Sequence, residues 1–453
     1  MKRLFSDKWF RPLWKKIETV DYFQVSAVFS FWFFLAYLAG SFAGFLGINS
    51  TYIRYITGHD AYIYTPFLFW CIGLGVLGLV LGYGLVRFIL SYFARTRIFA
   101  VSQDNHYYLS RLGLALLFLG LISKLFRIFS GTYFHLNKNI EVTHASYAAL
   151  IGLGEVFGIL GLGIVWAVYY ESVKNTTKKL WWHGLALAAL AVEFLFGFFS
   201  LSKMAVLLPV FCFLFIRHYM FKKSFIYALA SLALLQLVVF PVKSYLGTPG
   251  NIQSYQTYWK SRVVQKGIQG KIMPAADFVA DGIFGRFDLS RTLGKIILKS
   301  KETNILPQGN LLKTFFISLG PPRLLWPQKP QINTGHNEFG RRFELLSPDD
   351  YTTSMAPGLL GDLYLNFGVW GIVIGTMIIG GLLGLLGYLF LVLKNSLYWL
   401  SAYATLIPYF LSIQEGWLGP GYAGLIKYIG IFIFLWLAVF RWLIKKIPSQ
   451  KIV

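Results

Sequence analysis

Long apolar runs, separated by shorter polar stretches, dominate the chain. An α-helix needs about 20 mainly apolar residues to cross a hydrocarbon core of about 30 Å. Runs near that length predict ten membrane-spanning helices, at residues 22–46, 64–90, 107–126, 146–170, 181–200, 203–220, 224–241, 363–392, 397–413 and 423–443. The pattern therefore predicts an all-α polytopic integral membrane protein.

The composition agrees with this class. The chain is 56% hydrophobic and 18% aromatic, and only 13% of its residues are charged. A soluble domain carries about 25% charged residues. The charged stretch after Met1 is unlike the apolar core of a signal peptide, so no cleaved signal peptide is expected.

Lysines and arginines indicate the orientation, because they are enriched in cytoplasmic loops. Six cations precede the first predicted span, and further cations cluster in alternate short loops and in the C-terminal tail. Both termini are therefore predicted to be cytoplasmic. The chain then divides into five segments. They are a cytoplasmic basic interfacial stretch (1–21), a seven-helix region (22–241), an extracytoplasmic loop (242–361), a three-helix region (362–443) and a cytoplasmic tail (444–453).

The net charge of +23 follows in large part from this topology. The basic, tryptophan-containing N-terminal stretch is typical of a segment that binds anionic lipid, so membrane lipids are expected partners. A nucleic-acid partner is not expected, because no binding module accompanies the charge.

The loop at 242–361 is too long for a plain connector. Residues 251–300 have helical spacing of apolar positions, with a run starting at Pro274, and the apolar face is expected to lie on the membrane or against the bundle. Residues 303–361 are rich in Pro, Gly and Asn and predict irregular structure. No related halves with broken helices are apparent, which disfavours a secondary transporter.

Ionisable residues inside spans are costly and are candidates for function. Seven of them are predicted to lie near the extracytoplasmic side: Glu155, Glu193, Lys203, Lys243, Asp362, Glu415 and Lys427. Individually they are equally well explained as ion pairs in helix packing or as snorkelling side chains. As a group they favour a polar cavity that faces outward.

The loop also carries cations suited to phosphate, since a planar guanidinium binds phosphate oxygens in pairs. The candidates are Arg286, Arg291, Arg323, Lys329, Arg341 and Arg342. For Lys295, Lys299 and Lys301 a solvated surface or lipid headgroups is the favoured interpretation. His336 is either a proton acceptor or an ordinary loop histidine. No DxD, CxxC or HExxH spacing occurs, so no metal site is predicted.

Two motifs resemble the bacterial oligosaccharide repeat-unit polymerases, the O-antigen and exopolysaccharide polymerases of the Wzy type. They are 320-GPPRLLWPQKP-330 and 361-GDLYLNFGVWG-371. The second motif has Asp362 where the family often has glutamate. Lys203 and Lys243 occupy positions that are often arginine, which loses paired binding of a diphosphate.

The resemblance implies a GT-C-like helical fold in the bacterial cytoplasmic membrane and a metal-independent glycosyltransferase without a cofactor. The substrate would be a polyprenyl-diphosphate-linked oligosaccharide, and a flippase and a chain-length regulator would be further partners. Catalytic candidates are, in order, Asp362, Glu193 and His336. Diphosphate would bind at Arg323, Lys329, Arg341 and Arg342, and secondarily at Arg286, Arg291, Lys203 and Lys243. Sugar would bind at Trp326, Tyr351, Tyr364 and Asn366.

Three other interpretations stay open at this point. An O-antigen ligase-like enzyme uses the same donor with a different acceptor. A lipid-linked oligosaccharide flippase or exporter would move the substrate without chemistry. A non-catalytic partner in polysaccharide assembly is the third.

Overall fold

A computed structural model describes residues 24–39, 65–93, 106–129, 145–174, 180–199, 203–221, 289–303, 310–321, 325–326, 328–330, 336–346 and 355–444. This part of the chain is helical and contains no strand. The described residues therefore confirm an all-α protein.

Twelve α-helices make up the described fold, and α1 continues into a π-helical stretch at Phe34–Ala39. They are α1 Val25–Phe33, α2 Pro66–Phe93, α3 His106–Phe129, α4 Ala145–Lys174, α5 Leu180–Phe199, α6 Lys203–Phe221, α7 Leu289–Thr303, α8 Asn310–Leu319, α9 His336–Arg342, α10 Gly358–Leu393, α11 Leu397–Gln414 and α12 Leu418–Ile444. Helices lie at nine of the ten predicted span positions, and the tenth, 224–241, falls outside the described residues.

Six of these helices are long and apolar enough to cross a membrane: α2, α3, α4, α5, α10 and α12. Their outward faces are apolar, as Phe88, Phe129 and Phe434 illustrate with exposed fractions of 72%, 86% and 69%. Such faces suit a hydrocarbon solvent. The protein is therefore membrane-embedded.

Glycines allow the closest helix contacts, as the run at 371–387 predicted. A Cβ on Gly82 would lie 1.8 Å from the Met377 carbonyl oxygen, and a Cβ on Gly380 would lie 2.1 Å from that of Leu79. The backbones of α2 and α10 consequently pack together along their lengths.

The long helix α10 is broken at Gly368, where φ is 62° and ψ is −148°. A Cβ on Gly375 would lie 2.3 Å from the Leu363 side chain, although twelve helical residues would span about 18 Å in a straight helix. The segment before Gly368 therefore folds back against the segment after it. The sequence analysis did not predict this break.

The segments between α6 and α10 are more ordered than predicted. Irregular structure over 303–361 was wrong for α8 and α9, which are helical. Pro321 follows the last residue of α8 by two positions and cannot continue the helix. The helix predicted within 251–300 is confirmed only for α7. Its apolar residues Leu293, Ile296 and Ile297 are buried against the bundle, mainly against α10.

Candidate functional site

A cavity of about 240 Å³ lies among α3, α4, α5, α6, α11 and α12. Its construction begins with glycines between α3 and α4. A Cβ on Gly120 would lie 2.5 Å from the Gly158 Cα, and a Cβ on Gly154 would lie 2.2 Å from the Ser123 Cβ. These contacts bring the last turns of α3 against α4.

An ion pair between Lys124 and Glu193 lines one side of the cavity and joins α3 to α5. Both side chains are buried, with exposed fractions of 7% and 6%. Gly158 lies beside the pair, since a Cβ there would be 2.7 Å from a Glu193 carboxylate oxygen. Each charge is stabilised by the other, because an isolated buried ion is costly.

A second ion pair, between Arg127 and Glu155, joins α3 to α4 near the same cavity. Glu155 lines the cavity and its side chain is 42% exposed. Arg127 follows Lys124 by three residues, so both cations project from neighbouring positions on one face of α3. Two cations and two carboxylates are thus gathered within membrane-spanning helices.

Hydroxyl groups from α11 and α12 line the opposite side, at Thr405, Tyr409, Ser412 and Tyr428. The rings of Tyr409 and Tyr428 meet edge to face, with centroids 4.7 Å apart. Phe196 adds an apolar surface. The cavity can therefore bind an anion through the Lys124 ammonium group, accept protons through carboxylates and hydrogen-bond a hydroxyl-rich ligand.

The motif at 361–371 builds a different structure. Asp362 is 1% exposed. One of its carboxylate oxygens accepts a hydrogen bond from the Asn366 side chain at 2.9 Å, and the other accepts from the Leu418 backbone N–H, also at 2.9 Å. Leu418 is the first residue of α12, so this carboxylate satisfies an N–H that the helix leaves free.

Asn366 likewise accepts a hydrogen bond from a free N–H group at the start of α8. Its side-chain oxygen accepts from the Leu311 N–H at 2.8 Å, in the first turn of that helix. Asp362 and Asn366 together join the N-termini of α8 and α12 and point away from open space, since Asn366 is only 3% exposed. This geometry favours a positioning role for both residues, rather than direct proton transfer or sugar binding.

Two lysines hold the other end of α8. Lys427 donates to the carbonyl oxygens of Ser318 at 2.6 Å and Gly320 at 2.8 Å. Lys329 donates to those of Gly320 at 3.2 Å and Pro321 at 3.0 Å. Trp326 lies against Gly320, where a Cβ would be 3.1 Å from the indole ring. Lys329 and Trp326 therefore stabilise a chain turn in this structure.

The helix α9 carries Arg341 and Arg342 in its last turn. Arg342 is exposed and lies 5.8 Å from the Phe343 ring centroid. Phe339 packs edge to face on Trp417, with centroids 5.4 Å apart, and so holds α9 near the turn between α11 and α12. The two arginines are thus close to the motif end of the bundle, which we define as the end where that turn lies.

Glu344 follows α9 and binds two lysines of α7. Lys295 donates to the Glu344 backbone carbonyl at 2.6 Å, and Lys299 donates to its carboxylate at 2.7 Å. The hydrogen bond with Glu344, followed by one with Glu302, raises the pKa of Lys299 above its ordinary value. These lysines make specific contacts, which the interpretation as a merely solvated surface did not foresee.

The remaining candidates divide into three groups. Tyr364 is buried, and Arg291 is half-buried on α7. His336 begins α9 and Lys203 begins α6, while their side chains fall outside the described part of the structure. Four residues lie outside the described residues altogether: Lys243, Arg286, Arg323 and Tyr351.

Sequence reasoning missed Lys124 and Arg127. Their signal was present, because two cations three residues apart near the end of a span are unusual in a membrane helix. Glu155 and Glu193, each without a neighbouring cation in sequence, would have been natural partners. The pairing depends on three helices meeting, which the one-dimensional pattern does not reveal.

Comparisons of the chain with protein-family models, with curated proteins and with solved structures find no match.

Proposed function

We propose that this protein is a glycosyltransferase that polymerises polyprenyl-diphosphate-linked oligosaccharide repeat units at the outer face of the bacterial cytoplasmic membrane. The observation that carries the proposal is the cavity inside the membrane-spanning bundle, which is lined by Lys124, two carboxylates and four hydroxyl-bearing side chains. Arg127 adds a second cation beside it, through its ion pair with Glu155. The resemblance of the two motifs to repeat-unit polymerases adds independent support.

In the proposed topology ten spans form a GT-C-like fold with both termini in the cytoplasm, as the distribution of lysine and arginine indicates. The motif end then faces outward. Lys124 and Glu193 lie near the C-terminal ends of α3 and α5, and Tyr428 lies in the first half of α12. All three positions are in the outer half under this topology, where a flipped lipid-linked substrate would be met.

The proposed reaction is a displacement at the anomeric carbon of the donor. The bond from that carbon to the diphosphate oxygen breaks, and a bond to the acceptor hydroxyl oxygen forms. The hydroxyl proton passes to a carboxylate, and polyprenyl diphosphate leaves as an anion that needs no proton. Lys124 and Arg127 would stabilise the growing negative charge, which is effective where water is excluded.

Glu193 is the proposed proton acceptor, with Glu155 as the second candidate. Arg341, Arg342 and Arg323 would reach the diphosphate from the loop side. The cavity is smaller than the about 300–1,000 Å³ of typical ligand pockets. It would therefore hold the diphosphate–sugar junction and leave the rest of each glycan outside.

The direct test uses the purified protein in proteoliposomes with lipid-linked repeat units and no nucleotide. A ladder of longer lipid-linked glycans is expected. Glu193→Gln should abolish the ladder, whereas Glu302→Gln, on the exposed face of α7, should not. Unchanged single repeat units with the wild-type protein, under conditions in which it stays folded, would overturn the proposal.

An O-antigen ligase-like activity is the nearest alternative, because it uses the same donor with a different acceptor. Transfer of the glycan to an added non-lipid acceptor in the same assay would distinguish it. A flippase or exporter is favoured by one observation, the break at Gly368, because broken helices are typical of transporters. Cells that lack this protein distinguish the two functions. If it is a polymerase, they should display single repeat units outside; if it is a flippase, they should retain them inside.

A further inference from the structure

Helix α8 runs beside α12 in the same direction. The N-termini of the two helices meet at Asp362 and Asn366, which bind the N–H groups of Leu418 and Leu311. Further along, Thr314 lies against Gly419, where a Cβ would be 2.4 Å from the threonine hydroxyl oxygen. Lys427 then reaches the carbonyls at the end of α8. The two helices are therefore side by side over the full length of α8.

This arrangement determines where α8 goes. Leu418–Ala438 has the length and apolarity of a membrane span. Lys427 lies nine residues after Leu418 in that span, which is about 14 Å along a helix. The hydrocarbon core is about 30 Å thick. The turn between α11 and α12 places the start of α12 at the membrane boundary. Measured from that boundary, the C-terminal end of α8 lies near the level of the bilayer midplane.

The surface of α8 fits that location. None of its residues is buried. Leu312 and Phe316 are 50% and 65% exposed, and Leu325, just after the helix, is 75% exposed. Ile426 of α12, beside the end of α8, is also exposed at 47%. The apolar face of α8 thus continues the lipid-facing surface of a spanning helix. Exposed Lys313 lies in the first turn, where its ammonium can reach the interface.

The helix end supplies independent support. The last carbonyls of a helix have no partner within it, and each unsatisfied backbone group in hydrocarbon costs several kcal/mol. At the end of α8 two ammonium groups bind the carbonyls of Ser318, Gly320 and Pro321. In hydrocarbon no water is present to bind these carbonyls, so side-chain donors must do so. The contacts of the two lysines therefore meet the requirement that a helix end in hydrocarbon would impose.

We propose that α8 is a re-entrant helix that enters the membrane from the motif end, turns near the midplane and contacts lipid acyl chains through Leu312, Phe316 and Leu325. Lys427 and Lys329 bind the carbonyls of its C-terminal end. This holds whether the protein is an enzyme or a transporter. Its consequence is that the cationic, proline-rich stretch after α8 starts inside the bilayer.

Spin labels on single introduced cysteines test the location. Leu312→Cys and Phe316→Cys are compared with Phe434→Cys, on the exposed face of α12, and with Glu302→Cys, on the exposed face of α7. Cys71 and Cys212 are buried, and the parent protein reports any background labelling. In proteoliposomes, each spin label collides with oxygen, which is concentrated in the bilayer, and with a nickel chelate, which stays in water. The ratio of the two collision rates, oxygen over chelate, measures the depth of the label in the membrane.

The expected ratio at Phe316→Cys approaches that at Phe434→Cys. The depth should also increase from position 312 to position 316 by about 6 Å, four residues along a helix that enters the membrane. Equal depths at both positions would show a helix lying flat on the surface and would overturn the proposal. A ratio like that at Glu302→Cys, or inaccessibility to both agents because protein covers the site, would overturn it as well.

A second measurement uses the unmodified protein, so that no substitution can disturb folding. A phospholipid with a photoactivatable group in the middle of its acyl chain is cross-linked in proteoliposomes, and labelled peptides are identified by mass spectrometry. Labels within 310–326 are expected alongside labels on α12. Labels on α12 with none within 310–326 would overturn the proposal.

Discussion

Lys124 and Glu193 of the cavity and Asp362 and Asn366 of the motif at 361–371 are all buried, but the two pairs differ in what they face. Lys124 and Glu193 pair with each other beside an open volume. Asp362 and Asn366 instead accept hydrogen bonds from backbone N–H groups at two helix ends. A buried polar group in this membrane protein therefore has one of two roles, ligand binding or helix positioning. In the cavity it remains available to a ligand, whereas in the motif it determines how helices meet.

The largest expected effect comes from breaking the buried pair. Lys124→Met leaves the Glu193 carboxylate buried without its partner, and removing one member of such a pair costs about 3–5 kcal/mol. We expect a strongly lowered thermal unfolding midpoint in detergent.

Changing both members to apolar residues, as in Lys124→Met with Glu193→Leu, removes the uncompensated charge, and such replacements are often neutral or stabilising. The double variant should therefore recover most of the midpoint. A single variant as stable as the wild type would contradict the pairing.

The next effect concerns Asp362. Asp362→Ala leaves the buried Leu418 N–H without an acceptor, at a cost of about 1–3 kcal/mol. Asp362→Asn keeps one acceptor oxygen, so a smaller loss is expected. Because the carboxylate does not line the cavity, folded Asp362→Asn should retain glycan polymerisation. If that variant were fully folded and inactive, Asp362 would be a proton acceptor, as the sequence first indicated.

An effect of the same order as that of Asp362→Ala is expected from a methyl group placed beside the pair. In Gly158→Ala the new Cβ would lie 2.7 Å from a Glu193 carboxylate oxygen, and such overpacking costs about 1–3 kcal/mol. Gly152→Ala is the matched control, since that position also lines the cavity and its Cβ would meet only the Tyr428 hydroxyl at 3.9 Å. Activity and unfolding midpoint should fall for position 158 and not for position 152. Equal behaviour would contradict the described placement of Glu193.

The smallest effect belongs to the exposed contact between α7 and Glu344. Lys299 has a raised pKa because it donates to Glu344 and Glu302. A raised pKa in the folded state means that the stabilisation is complete below the ordinary lysine pKa of about 10.4 and is lost as pH rises above it.

The unfolding midpoints of wild type and Glu344→Gln should differ slightly and by a constant amount from pH 7 to 9, and converge at higher pH. Convergence already between pH 7 and 9 would contradict the assignment to Lys299.

Much of the fold was predictable from the sequence, because span length and apolarity are imposed by the bilayer itself. The close packing of the glycine run in α10 was predictable for a similar reason. The break at Gly368 was not, since glycine in a span more often marks packing than a change of direction. The helix α8 was missed because flanking prolines and a short length resemble a loop.

The site was less accessible to sequence reasoning. Glu193 was recognised as a costly charge, but its partner lies on another helix, 69 residues away in sequence. Asp362 was recognised as unusual, but its role at the start of α12 depends on a residue 56 positions later. Long-range contacts of this kind are set by packing and leave no local pattern.

The most direct test of the central claim is the glycan ladder made by the double variant Lys124→Met with Glu193→Leu. The pair is apolar in this variant, so the fold should persist while the charges of Lys124 and Glu193 are gone and those of Arg127 and Glu155 remain. The account predicts an unfolding midpoint close to that of the wild type and no ladder from lipid-linked repeat units. A folded double variant that produces the wild-type ladder at the wild-type rate would show that the pair of Lys124 and Glu193 takes no part in glycosyl transfer.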